Sequence, residues 1–265
     1  MSESTGKTAL VTGASGGIGY ELARLLARDG YDLVLVARGG DKLNEMKQQY
    51  EGKAGVRVRV IVKDLSQPSA PQEIHDELQR EGVAVDVLVN NAGFTVFGKF
   101  LETEAESELQ MMQVNIVALT HLTKLFVPGM VERGRGRVLN LASTAAFFPG
   151  PLMAVYYASK AYVRSFSEAL AVELEGSGVT VTVLCPGPTE TGFQKRGNME
   201  DSRLVAGRKI MDARTVARTG YRAMLKGQML VIVGLRNWVQ CEATRFIPDK
   251  VLARSVMRAQ DRVEH

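Results

Sequence analysis

The chain has 265 residues, 45% of them hydrophobic, 23% charged and 6% aromatic, a profile that excludes a disordered or fibrous chain and fits a soluble globular one. At this length one core can bury roughly 70–75% of the surface the unfolded chain exposes, so a single domain over 1–265 needs no disulfide or metal to hold it. The net charge of +4 is uneven, since residues 194–265 hold 15 Lys/Arg against 7 Asp/Glu and the preceding residues are net acidic.

A short apolar run, Lys7 to Val11, reads as the first strand. It feeds Thr12-Gly13-Ala14-Ser15-Gly16-Gly17-Ile18-Gly19, and a segment of helical period follows at once, Ile18 to Asp29. Glycines 13, 17 and 19 let backbone turn sharply and approach a pyrophosphate, while the free amides of a helix start turn their positive dipole end toward it. That strand, turn and helix context is what a dinucleotide-binding reading requires.

The second strand, Asp32 to Ala37, ends in Arg38 and Gly39 rather than in a carboxylate. An acidic residue there would accept from a ribose 2′-hydroxyl and repel a 2′-phosphate. Arginine instead offers a planar fork of donors to phosphate oxygens, with Ser15 and Gly39 as helpers, so NADP(H) is expected over NAD(H). After the helical Asp41 to Glu51 and the strand Val56 to Val62 comes Asp64, placed to meet an adenine amino group, with Leu65 beside it.

Helix Pro71 to Glu81, strand Val85 to Val89, helix Ala105 to Val127, strand Arg137 to Leu141, helix Ala154 to Glu175, strand Val179 to Leu184, helix Ala213 to Lys226 and strand Met229 to Val233 continue the alternation. Strands apolar on both faces belong to a parallel sheet covered on each side, and strict alternation with helices predicts a doubly wound α/β sheet of right-handed crossovers. Residues 186–211 show no period and form a candidate substrate-binding loop, since ligands sit beyond strand carboxyl ends. Residues 234–265 form a helical extension in which Trp238, Phe246, Ile247, Val251, Leu252, Val256 and Met257 make an apolar pattern. This stripe is expected to pack on the body, and the arginines between its residues to be a solvated face rather than a nucleic-acid surface.

Tyr156 and Lys160 lie four apart on one helix, hence on one face. A tyrosine pKa near 10 is too high for acid-base work at neutral pH, and an ammonium beside it favours the phenolate. Ser143, just past a strand, can donate to a developing alkoxide. Phe94, Val96, Phe147, Phe148, Met153, Phe193 and Met199 flank the expected cleft and predict an apolar carbonyl substrate of modest size. Lys195, Arg196 and Arg203 are candidates for the mouth of a pocket that takes a carrier-bound acyl group.

Taken together, these residues resemble the short-chain dehydrogenase/reductase family in its branch of roughly 250 residues. The resemblance rests on Thr12 to Gly19, Asn90-Asn91-Ala92-Gly93, Asn115, Ser143, Tyr156 with Lys160, and Pro186-Gly187 with Thr191, in family order over residues 7 to about 233. It implies a Rossmann fold with a seven-stranded parallel sheet in order 3-2-1-4-5-6-7 and a homodimer or homotetramer. It also implies that Tyr156 exchanges a proton with the substrate oxygen, that Ser143 orients that oxygen, and that Lys160 lowers the tyrosine pKa and binds the nicotinamide ribose. Asn115 would hold a water leading to Lys160, Asn91, Ala92 and Gly93 would line the cofactor with Pro186 and Gly187, and Thr191 would hold its carboxamide. The activity implied is a carbonyl reductase or alcohol dehydrogenase. A dinucleotide-binding regulator without turnover, and an epimerase or dehydratase of the longer related branch, remain as alternatives.

Cys185 and Cys241 make neither a disulfide framework nor a zinc spacing, and a reducing, cytoplasmic location fits them. No signal-peptide core opens the chain and no stretch reads as the roughly 20 apolar residues of a bilayer crossing, so a membrane span is not expected.

Overall fold

The structure, a computed structural model, describes residues 5–192 and 210–260. The long strands are β1 (Thr8–Thr12), β2 (Asp32–Ala37), β3 (Val58–Val62), β4 (Val85–Asn90), β5 (Gly136–Leu141) and β6 (Val179–Cys185). Two residues each make β7 (Thr189–Glu190) and β8 (Met211–Asp212), and β9 (Leu230–Ile232) follows. The helices are α1 (Gly17–Arg28), α2 (Gly40–Ala54), α3 (Ala70–Arg80), α4 (Ala105–Met112), α5 (Leu119–Glu132), α6 (Ala154–Glu173), α7 (Ala213–Leu225), α8 (Leu235–Ala243) and α9 (Asp249–Gln260).

Every pairing in the main sheet is parallel, in the order β3-β2-β1-β4-β5-β6-β9. This is the expected doubly wound Rossmann topology, β9 standing as the seventh strand because the β7–β8 pair, which period alone does not reveal, precedes it.

Alternation along each strand sends side chains to two cores. Ala9, Val11, Leu33 and Leu35 point to one face, where Leu22, Leu26, Leu43, Met46, Val216 and Tyr221 of α1, α2 and α7 cover them. Leu10, Val34 and Val36 point to the other, under Ile74, Leu78, Leu122, Phe126 and Met130 of α3 and α5. Truncating a wholly buried leucine such as Leu10 or Leu88 to alanine costs about 2–5 kcal/mol at such a site.

The segment read from sequence as one helix from Ala105 to Val127 runs instead to Glu132 and contains a π turn at Gln113–Ala118. A wider turn of this kind inserts one residue into the helical ladder, and here it carries the buried Asn115. Against the sequence expectation, the run Ala105–Glu132 is long and apolar enough to cross a bilayer by length and composition alone; half of its most apolar window is buried within this fold.

The extension splits its apolar residues between two environments. Leu252 is buried and Val256 packs beside Tyr156 and Tyr157, as expected. Trp238, Phe246, Val251 and Met257 are exposed, Phe246 by 87%, so the expected body-facing stripe is narrower than the sequence pattern.

Candidate active site

A cleft of about 1330 Å³ opens at the carboxyl ends of the strands. On one side it is floored by the turn between β1 and α1. Gly13 and Gly17 have φ of 63° and 56°, the left-handed region that glycine enters without strain. A Cβ on Gly19 would run into the Gly13 carbonyl and the Asn91 amide, and one on Gly17 would meet Thr191 Cγ2 at 2.9 Å. Gly16 caps α1 with no side-chain acceptor, so the amides of that helix start stay available to an anion. These features fit a dinucleotide pyrophosphate.

The Asn91 side chain holds this turn in place. Its Nδ2 donates to the Thr12 and Gly13 carbonyls at 2.9 and 3.1 Å, while the Asn91 and Ala92 amides both donate to Thr12 Oγ1 at 3.0 Å. Ser15, Ile18, Arg38, Asp64, Leu65, Asn91, Ala92, Gly93, Pro186, Gly187 and Thr191 line the cleft with Gly13 and Gly17, whereas Gly19 is buried behind the turn. Arg38 is exposed at the end of β2. Sequence reading missed Lys63, a second cation in the lining, which lies at the end of β3 and pairs with Glu73 at 2.5 Å. Its position just after an apolar run was the available signal.

Ser143, Tyr156 and Lys160 converge on the same cleft. Ser143 leaves the end of β5 and accepts from the Ala145 amide at 3.1 Å, which fixes its hydroxyl at the start of a short 3-10 turn. That hydroxyl hydrogen-bonds Tyr156. Burial pushes the Tyr156 phenol well above its ordinary value, and the Ser143 bond opposes this. Lys160 Nζ lies 5.8 Å from the centre of the Tyr156 ring and donates to the Leu141 carbonyl at 2.9 Å. Burial pushes its ammonium down to about 8. The Tyr156 phenol is therefore protonated at neutral pH.

Asn115 sits behind this group. Its Oδ1 accepts from the Phe94 amide at 3.1 Å and its Nδ2 donates to the Phe94 carbonyl and to Ser159 Oγ, at 3.0 and 3.2 Å. Ser159 in turn donates to the Tyr156 carbonyl at 2.6 Å, so Asn115 braces α6 against the strand end after β4. A Cβ on Gly93 would meet Asn115 Oδ1 at 2.9 Å and Lys160 Nζ at 3.6 Å, so the bare glycine is what lets these groups gather.

Of the expected substrate-pocket residues, Phe94, Phe148 and Met153 line the cleft. Val96 instead packs into the cluster around Tyr157 and Met153. Phe147 turns away, packing among Leu119, Val163, Val183 and Cys185, with the Arg164 guanidinium 3.9 Å above its ring. Its place at the end of the 3-10 turn, where side chains eclipse every third residue, sends it back toward the sheet. Phe193, Lys195, Arg196, Met199 and Arg203 lie outside the described residues. The sequence reading also missed the inner face of α9, since Leu252, Ser255, Val256 and Ala259 line the cleft.

The short chain dehydrogenase family matches residues 7–201. The chain belongs to that family. Over 180 residues it is 39% identical to a very-long-chain 3-oxoacyl-CoA reductase of Pyrenophora tritici-repentis, a match covering 66% of this chain and 53% of that protein. It thus spans about half the length of the first curated relatives it matches. The ketoacyl reductase HetN of Nostoc sp. is 33% identical over 236 residues, 88% of this chain and 80% of its own. Among solved structures, a short-chain dehydrogenase from Sphingobium yanoikuyae in complex with NADPH covers 98% of each chain at a TM-score of 0.82 and 28% identity. The glycine turn and open helix start in the cleft of this chain fit a dinucleotide.

Proposed function

We propose that the chain uses NADP(H) to pass hydride between the nicotinamide and a carbonyl or secondary alcohol of an apolar substrate. The observation carrying this reading is the gathering of Ser143, Tyr156 and Lys160, braced by Asn115, in one cleft with the glycine turn and Arg38. When bound, the dinucleotide supplies the hydride. Gly13, Ser15, Gly17 and Ile18 would hold its pyrophosphate, Asp64 and Leu65 its adenine, and Asn91, Ala92, Gly93, Pro186, Gly187 and Thr191 its nicotinamide half.

In reduction, the Tyr156 hydroxyl gives its proton to the substrate oxygen as that oxygen takes on negative charge, and Ser143 donates a hydrogen bond to the same atom. Lys160, still largely an ammonium at pH 7, would hold ribose hydroxyls of the bound dinucleotide, and its charge stabilises the phenolate left behind. Water reaching Lys160 by way of Asn115 restores the proton. Alcohol oxidation reverses these steps.

Preference for NADP(H) rests on Arg38 and Lys63, cations in the cleft where a carboxylate would reject a 2′-phosphate. The relative crystallised with NADPH supports the same choice. The apolar lining contributed by Phe94, Phe148, Met153, Leu252 and Val256 favours a bulky, uncharged substrate body. With the reductases among the relatives, it supports a long-chain or polycyclic ketone or a 3-oxoacyl thioester.

Self-association as a homodimer or homotetramer is supported by exposed Leu109, Met112 and Val117 and by Tyr162 and Val172 on α6. The buried, unpaired thiols of Cys185 and Cys241 support a cytoplasmic location. The test is a carbonyl panel followed by NADPH and NADH absorbance. Oxidation of NADPH with members of these classes is expected, and tight NADPH binding without turnover of any member would overturn the proposal.

A further inference from the structure

Helix α9 is one wall of the cleft, yet it is lightly held. Leu252, Val256 and Ala259 recur at three- and four-residue spacing and face inward, while Lys250, Val251, Arg254, Met257 and Arg258 are exposed. Of its twelve residues only Leu252 and Gln260 are buried.

Gln260 is wholly buried, and its Nε2 donates to the Tyr157 hydroxyl at 2.6 Å, a bond between residues 103 apart in the chain. Its Oε1 is buried without a partner among the described residues. Tyr157 follows Tyr156 on α6, lines the cleft, and sets its ring edge-on to the Tyr156 ring at 6.1 Å between centres. A Cβ on Gly150 would overlap the Tyr157 ring, so the bare glycine is what gives the ring its place. The α9 wall is thus tied through one buried polar bond to the residue next to Tyr156.

Resting on the hydride-transfer reading above, we propose that the Gln260–Tyr157 bond is a latch that seats α9 against α6. The helix so seated decides how large an apolar substrate the cleft holds. Gln260 and Tyr157 are then positioning residues and take no part in proton transfer.

A buried hydrogen bond behaves characteristically when cut. Removing one partner strands the other without water, whereas replacing both with apolar groups of like shape is close to neutral. Gln260→Met and Tyr157→Phe should each loosen α9, and the double variant should seat it again.

Two readouts on the full-length protein test this. The first needs no turnover: limited trypsin cleavage after Arg254 and Arg258 should speed about tenfold in Gln260→Met, the factor that matches loss of one buried hydrogen bond, and return near the parent rate in the double variant. The second is kinetic: for a polycyclic ketone, KM should rise severalfold in Gln260→Met while kcat and NADPH affinity stay within about twofold. Equal cleavage in parent and Gln260→Met, or a double variant looser than either single one, overturns the latch. If cleavage follows the expected pattern but no carbonyl is reduced by any variant, the latch stands and the hydride-transfer reading falls. If reduction proceeds with an unchanged KM in Gln260→Met, α9 does not set substrate size and the proposal falls.

Discussion

Lys160 Nζ donates to the Leu141 carbonyl at 2.9 Å, so the ammonium is fastened to the end of β5. The bond carries a polar group into the interior but does not cancel the cost of burying a charge. The folded protein therefore binds the Lys160 proton less tightly than the unfolded chain does, its pKa falling from 10.5 to about 8.

Between about pH 8 and 10.5 the unfolded chain holds the Lys160 proton and the folded one releases it, so the Lys160 contribution to the free energy of unfolding rises with pH across that window and its penalty is fully present below it. Cys185 and Cys241, pushed by burial from 9.0 up to about 12, act in the opposite sense from about pH 9, and Tyr156, also shifted upward, does so above pH 10. Lys160→Met should raise stability at pH 7 by on the order of 1–2 kcal/mol, after allowing for the lost bond to Leu141, and this advantage over the parent should shrink as pH rises from 8 to 10. Urea unfolding at pH 7, 8, 9 and 10 checks this; equal slopes in both proteins would contradict it.

Arg38→Asp replaces attraction with repulsion at the expected site of the 2′-phosphate. The ratio of kcat/KM for NADPH over NADH should fall by about 100-fold or more, because the change removes a charge-assisted hydrogen bond to the phosphate and sets a like charge against it. An unchanged ratio would move the discriminating residue elsewhere, with Lys63 the next to replace.

Two glycines three residues apart should respond differently to alanine. A Cβ at Gly19 would strike backbone at Gly13 and the Asn91 side chain, whereas the space around Gly16 is open and its φ of −171° suits any residue. Gly19→Ala should lose about 1–3 kcal/mol of stability, as overpacked sites do, together with NADPH binding. Gly16→Ala meets no atom and should lose only the difference between a glycine and an alanine N-cap, about 0.5–1 kcal/mol. Thermal melts with and without NADPH distinguish the two, and equal losses would mean the turn is not built as described.

The doubly wound parallel class of the sheet was legible because most strands are apolar on both faces and the crossovers carry helical period, patterns set by local chemistry, whereas the strand order came with the family resemblance. Ser143, Tyr156, Lys160 and Arg38 were legible because they sit at strand ends or at a four-residue helical spacing. What was not legible depends on how distant segments meet. Phe147 and Phe148 are adjacent phenylalanines, and only the path of the 3-10 turn decides which one meets the cleft. The π turn around Asn115 leaves no mark on a helical pattern that continues through it. The Gln260–Tyr157 bond joins residues that nothing in either local sequence relates. The downward shift of the Lys160 pKa was not legible either, because burial causes it and burial is a property of the assembled core.

The central claim is that the Tyr156 hydroxyl delivers the proton. Tyr156→Phe removes that oxygen and leaves the ring, so the decisive measurement is NADPH oxidation by this variant with the best carbonyl of the panel, alongside its NADPH dissociation constant. Proton delivery by that hydroxyl means a loss of about 10²–10⁴ in kcat/KM, the usual worth of a positioned general acid, with NADPH affinity within about twofold of the parent. Turnover comparable to the parent enzyme would contradict it.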